Sequence, residues 1–151
     1  LAKRMGYAFM DSDLVIQETY GKLLHELIEE YGVEGFFSLE NKVNASLMPT
    51  RSVIATGGSV CHEPEAMEHL GEIGTVVYLK LSLSSLKERL GDLGARGVTL
   101  KPGQTLADLY RERIPLYEKY ADITVDCEGK QLREAAVEIC DAVQQDGRKE
   151  T

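Results

Sequence analysis

Val53-Ile54-Ala55-Thr56-Gly57-Gly58-Ser59 is the stretch on which the reading of this chain turns. A short β-branched run that stops at two glycines reads as a buried parallel strand ending in a tight turn. Paired glycines there let the backbone approach something that a Cβ would exclude. In an open α/β sheet, ligands sit at that end of the strands. The alternative is a glycine-rich connection that holds nothing, and the rest of the chain has to decide between the two.

The 151 residues are 43% hydrophobic, enough for a single domain, 1–151, with its own core. A net charge of -8 argues against a nucleic-acid partner or an acidic membrane surface. A phosphate site would therefore rest on a few placed cations and backbone amides. No apolar run has transmembrane length. Cys61, Cys127 and Cys140 are odd in number and lack metal-ligand spacing, so they read as reduced thiols of a cytoplasmic protein. His25, His62 and His69 are scattered without evident partners and read as surface or core residues.

Along the chain, Leu1 to Gly6 reads as the last turn of a helix ended by glycine, and something is expected upstream of it. Tyr7 to Met10 is a short strand running into Asp11-Ser12-Asp13. Two carboxylates one residue apart can face different groups from one turn, although Asp13 as a plain helix N-cap accounts for the pattern as well. Helices are expected over Leu14 to Tyr20, Lys22 to Tyr31 and, after Gly32, Val33 to Leu47. With no strand between them, these helices (about 13–47) form an insertion able to cover a substrate.

Pro64 to Leu70 and Ser82 to Leu90 read as helices around a buried strand, Gly74 to Leu79. Residues 91–104 hold four glycines, Arg96 and Lys101, and read as a lid loop, with a plain connector as the alternative. A helix from Thr105 to Tyr120 follows, with Pro115 expected to kink it or shift its register. A strand at Asp122 to Asp126 and an amphipathic helix at Gln131 to Val143 close the chain. The alternation makes this an α/β protein with a parallel sheet.

Four features occur in order: Asp11-Ser12-Asp13, Ala55-Thr56-Gly57-Gly58, Arg96, and Arg113-Ile114-Pro115-Leu116-Tyr117 followed by Ala121-Asp122. Together they resemble the shikimate kinase family of small P-loop kinases over nearly the whole chain. The resemblance implies a three-layer α/β/α parallel sheet of the P-loop kinase type. It implies transfer of the γ-phosphoryl group of ATP to the 3-hydroxyl of shikimate, with ATP and Mg²⁺ bound and a monomer at work in the cytoplasm. Asp11 would lie near the metal, and Asp13 would hydrogen-bond the acceptor hydroxyls and serve catalysis. Gly57 and Gly58 would form the wall against the substrate ring, and Arg113 would pair with its carboxylate. Surface pairing of Arg113 with Glu112 or Glu118 is the alternative. Arg96 would close over the phosphates and spread charge in the transition state, and Lys130 would border the adenine.

The chain also departs from that family. No Gly-x-x-x-x-Gly-Lys-Ser/Thr occurs in these residues, so the N-terminal strand and P-loop are expected to lie upstream, about twenty residues in length. Phe37 stands where the family has an arginine, in Phe36-Phe37-Ser38-Leu39-Glu40. Loss of that charge-assisted bond implies about 1.5–3 kcal/mol of substrate binding. Ser59 replaces a third glycine, and Arg96-Gly97-Val98-Thr99 lacks the proline that follows the lid arginine. Three alternatives stay open: a kinase for another hydroxy acid or polyol, a non-catalytic member that binds a ligand or partner, and one piece of a multidomain enzyme.

Overall fold

The computed structural model describes residues 1–91 and 100–147. A first short helix, α1 (Ala2–Met5), ends at Gly6 in the left-handed region, φ 70°. Strand β1 (Ala8–Asp11) then feeds directly into α2 (Ser12–Tyr20). Asp11, not Asp13, caps that helix: its carboxylate accepts the Asp13 N–H at 3.0 Å. This satisfies one of the helix's free amide donors and turns Asp13 away into the first turn.

The two helices expected on either side of Gly32 are joined in α3 (Leu24–Ala45), with Gly32 at φ 72°, ψ 175°. Only glycine adopts that conformation without strain, so the expected break is present as a kink within α3. Strand β2 (Ser52–Ala55) pairs in parallel with β1, placing Phe9 opposite Val53 and Asp11 opposite Ala55. The two glycines follow at once, leading into a 3₁₀ turn at Gly58–His62 and then α4 (Pro64–Ile73).

The second half repeats the strand-then-helix order. Strand β3 (Val77–Lys80) precedes α5 (Leu83–Leu90), capped by Ser82 through a bond from the Ser85 N–H. Helix α6 (Leu106–Tyr120) opens on a reciprocal cap between Thr105 and Asp108. It continues through Pro115; the carbonyl this proline cannot bond belongs to Arg111, which is exposed and open to water. Strand β4 (Ile123–Asp126) pairs in parallel with β3, and α7 (Leu132–Asp146) covers it.

The inner strand edges are unpaired, as expected of residues that do not include the family's central strand. Among the described residues the strands form two separate parallel pairs, β1 with β2 and β3 with β4. No ladder joins β2 to β3. Instead both strands line a cleft of about 660 Å³. Val53 and Ile54 are consequently half-buried and Ala55 exposed, where burial was expected, and Leu79 on β3 is 54% exposed. A strand buried on both faces needs neighbours on both sides, and here each inner edge opens on the cleft.

Each part has its own apolar cluster. Ile16, Leu27, Phe36, Phe37 and Val43 pack between α2 and α3, Val60, Ala66, Met67 and Leu70 beneath the 3₁₀ turn, and Val125, Cys127 and Ile139 under α7. No helix among the described residues is long and apolar enough to cross a membrane. The three cysteines are buried and free, and burial pushes the Cys61 thiol up to about 11, which keeps it unreactive.

Candidate active site

The turn after β2 is where distant parts of the chain meet. Gly57 is closed in on one side: a Cβ there would lie 3.1 Å from Asp13 Oδ1 and 3.2 Å from Glu40 Oε2. Gly58 is closed in on the other, where a Cβ would lie 2.9 Å from Tyr117 Oη and 3.0 Å from Arg113 Nη1. The glycines are therefore required by close approach of side chains from α2, α3 and α6. Asp13, Gly57, Gly58 and Arg113 all line the same cleft.

Both carboxyl groups on the acidic side of the turn have raised pKa values. Asp13 has its pKa raised, first by burial and then by the Asp11 carboxylate. Glu40, only 1% exposed, is pushed up to about 7, chiefly by burial and further by Asp13. The Ser59 hydroxyl, donating to Glu40 Oε1 at 2.6 Å, and the Arg113 charge both work against that rise. Glu40 was not among the expected site residues, although it closes the Phe36-Phe37-Ser38-Leu39-Glu40 segment that resembles the family. Its position among the apolar residues of α3 was a further signal, since a carboxylate at helical spacing within a core stripe must find a partner.

The basic side is built on α6. Arg113 is buried, and its Nε–H donates to His62 Nε2 at 3.2 Å. Among the described residues its Nη2 has no hydrogen-bond partner and no ion pair forms with Glu112 or Glu118. Tyr117 donates to the Gly58 carbonyl at 2.7 Å and fixes the turn. Burial pushes its hydroxyl up to about 12, so it remains a donor.

His62 corrects the sequence reading, which gave the histidines no partner. Its ring stacks on Phe37 with centroids 4.3 Å apart and planes 10° apart. Phe37, in turn, is a core residue, 3% exposed and packed in the α2–α3 cluster. It does not line the cleft; Phe36 does.

Arg96 falls within residues 92–99, outside the described residues, as do the central residues of the expected lid. At the far end of that loop Lys101 pairs with Glu34 of α3 at 2.7 Å. Lys130 lies apart from the cleft lining: its ammonium donates to the Asp126 carbonyl and pairs with Glu138. Among the described residues no three His, Cys, Asp or Glu side chains gather to hold a metal ion.

Comparison with known proteins finds shikimate kinases. The family model described as shikimate kinase matches residues 1–144. The shikimate kinase of Chlorobium chlorochromatii (strain CaD3) is 33% identical over 150 residues, covering 92% of this chain and 78% of that protein. That of Synechococcus sp. (strain CC9902) is 40% identical over 129 residues, covering 83% of this chain and 66% of its own length. Among solved structures, shikimate kinase from Acinetobacter baumannii in complex with shikimate superposes with a TM-score of 0.84 at 29% identity, over 98% of this chain and 84% of that one. The Aquifex aeolicus enzyme gives 0.80 at 27% identity, over 99% and 88%. With carboxylates on one side of a glycine pair and a guanidinium on the other, and with residues 1–144 matched by that family model, this chain belongs to the shikimate kinase family of ATP-dependent kinases.

Proposed function

We propose that this chain phosphorylates the 3-hydroxyl of shikimate with ATP, using the cleft at the Gly57–Gly58 turn to hold the acceptor. One observation carries the assignment of roles: Asp13 and Arg113 close in on two consecutive glycines, Asp13 at Gly57 and Arg113 at Gly58. An acceptor with a carboxylate at one end and hydroxyls at the other fits between them.

Arg113 is the residue for the carboxylate. Its Nη2 is buried and unpartnered, and a guanidinium presents two parallel N–H donors to a planar anion. Asp13 is the residue for the reacting hydroxyl. Its raised pKa suits it to accept a proton as the oxygen attacks, and its place against Gly57 aims it along the turn. Gly57 and Gly58 bring the backbone against the substrate ring without a Cβ between. Since phosphoryl transfer depends mostly on positioning and charge neutralisation, these are the groups the acceptor half of the reaction requires.

Mg²⁺ fits the acidic turn. Asp11 acts on Asp13 by repulsion, which a divalent cation nearby would relieve. Magnesium is usually bound through one or two carboxylates together with the substrate phosphates, so a three-residue cage is not needed. When bound it neutralises phosphate charge; Asp11 is the residue proposed to hold it, directly or through water. Arg96 is proposed as the cation over the phosphates and Lys130 as a border of the nucleotide site, both on family resemblance. The alternating sheet, the net negative charge and the buried thiols suit a cytoplasmic enzyme working as a monomer.

An ADP-release assay on the full chain with ATP, Mg²⁺ and millimolar shikimate tests this reading. Shikimate-dependent turnover is expected, lost in Arg113→Ala through a large rise in KM. No shikimate-dependent ADP release would refute the assignment.

A further inference from the structure

Arg113 does not hold itself in place. Among the described residues no carboxylate pairs with it, and its Nε–H is taken by His62 Nε2. A nitrogen that accepts must carry a lone pair, so this bond requires a neutral imidazole with its proton on Nδ1. Nδ1 in turn faces Glu112 Oε1 at 3.6 Å. The ring plane is set by the Phe37 stack against its face, and Phe37 is locked in the α2–α3 core.

We infer that His62 is a positioning residue for the acceptor's carboxylate: as a neutral Nδ1–H imidazole braced by Phe37, it orients Arg113 so that the Nη edge of the guanidinium faces the cleft. The inference rests on the proposed role of Arg113. It also gives the Phe37 position a purpose. Where a second arginine is absent, an aromatic ring supports the histidine that aligns the one remaining.

Protonation of His62 undoes the arrangement, because the imidazolium has no acceptor and repels the guanidinium. The charged groups facing the ring are Arg113 and Glu112 from α6, Lys101 from the preceding loop and Glu34 from α3. Burial and Arg113 together hold its pKa below the usual histidine value, so the neutral form persists at pH 7. Acid then weakens acceptor binding through His62, in addition to whatever Glu40 and Asp13 contribute.

Two variants of the full chain separate acceptor from stack. His62→Phe keeps a ring against Phe37 and removes the acceptor; His62→Gln keeps an acceptor that does not titrate. The expected results are a tenfold rise in shikimate KM for His62→Phe, with kcat and the KM for ATP within twofold, and a KM within threefold of the parent for His62→Gln. Between pH 7.5 and 5.5 the parent's shikimate KM rises more steeply than that of His62→Gln, which retains the contributions of Glu40 and Asp13. Equal pH slopes in the two proteins, or an unchanged KM in His62→Phe, overturn the inference. Long-range ¹⁵N-edited NMR of the unliganded protein reads the tautomer without any substrate: Nδ1–H is expected at pH 8, and Nε2–H overturns the inference. If shikimate is not turned over at all, the functional assignment fails and the tautomer still decides this one.

Discussion

Ser59 Oγ donates a 2.6 Å hydrogen bond to Glu40 Oε1, and both residues are buried in the lining of the cleft. Serine here, where relatives of this type were expected to carry a third glycine, gives a buried carboxyl its only side-chain partner among the described residues. The glycine-to-serine departure is thus tied to an acid on another element, 19 residues away in sequence.

That acid makes stability depend on pH. The Glu40 pKa rises from 4.5 to about 7 on folding, so between those values the unfolded chain gives up a proton that the folded chain keeps. Stability is therefore greatest below pH 4.5 as far as this group is concerned, falls as pH rises through 7, and is flat above. The span is on the order of 3 kcal/mol. Urea unfolding at pH 5 and pH 8 checks it: Glu40→Gln should remove most of the difference and be the more stable protein at pH 8.

Ser59→Ala should cost about 1–3 kcal/mol, since it leaves a buried carboxyl oxygen unpartnered. The penalty should be larger above pH 7, where Glu40 is charged, and thermal unfolding at pH 5 and 8 measures the difference.

Gly58→Ala places a methyl group within 3 Å of Tyr117 Oη and at 3.0 Å from Arg113 Nη1. The backbone there needs no left-handed φ, but Tyr117 is a rigid ring bonded to the Gly58 carbonyl and Arg113 is buried, so the melting temperature should fall. Displacing the guanidinium should also raise the shikimate KM by about tenfold, as a charge-assisted bond to a carboxylate is worth about 1.5–3 kcal/mol. Steady-state kinetics against shikimate and ATP separately will show whether the effect is confined to the acceptor.

Asp13→Asn keeps the shape of the turn and removes the proton acceptor. A loss of about 100-fold or more in kcat is expected, the range for a positioned general base, with nucleotide affinity unchanged by calorimetry.

Restoring the family's arginine at position 37 should not tighten shikimate binding. Phe37 is buried in the core and faces His62, not the cleft, so Phe37→Arg buries an unpaired charge and removes the stack. Destabilisation by several kcal/mol is expected, read as a large fall in melting temperature, and a folded variant with higher affinity would contradict the placement of this ring.

The order of strands and helices was legible in the sequence because it rests on local chemistry: β-branched runs, proline and serine at helix starts, glycine at helix ends. The parallel pairing, the helical insertion and the kink at Gly32 all follow from that pattern. That Asp13, Gly57, Gly58 and Arg113 would share one cleft was an expectation carried by the family resemblance, since Arg113 lies within a helix and not at a strand end. What the pattern could not supply was which side chain occupies whose neighbourhood. Asp11 and not Asp13 became the cap because the strand runs one residue further, and His62 gained a partner 51 residues away. The burial of Phe37 and the near-neutral acidity of Glu40 arise only when α2, α3 and the 3₁₀ turn close on one another. Periodicity along one chain reports which faces are apolar, whereas a pKa or a hydrogen bond between distant segments is a property of the assembled volume, and only the tertiary structure sets it.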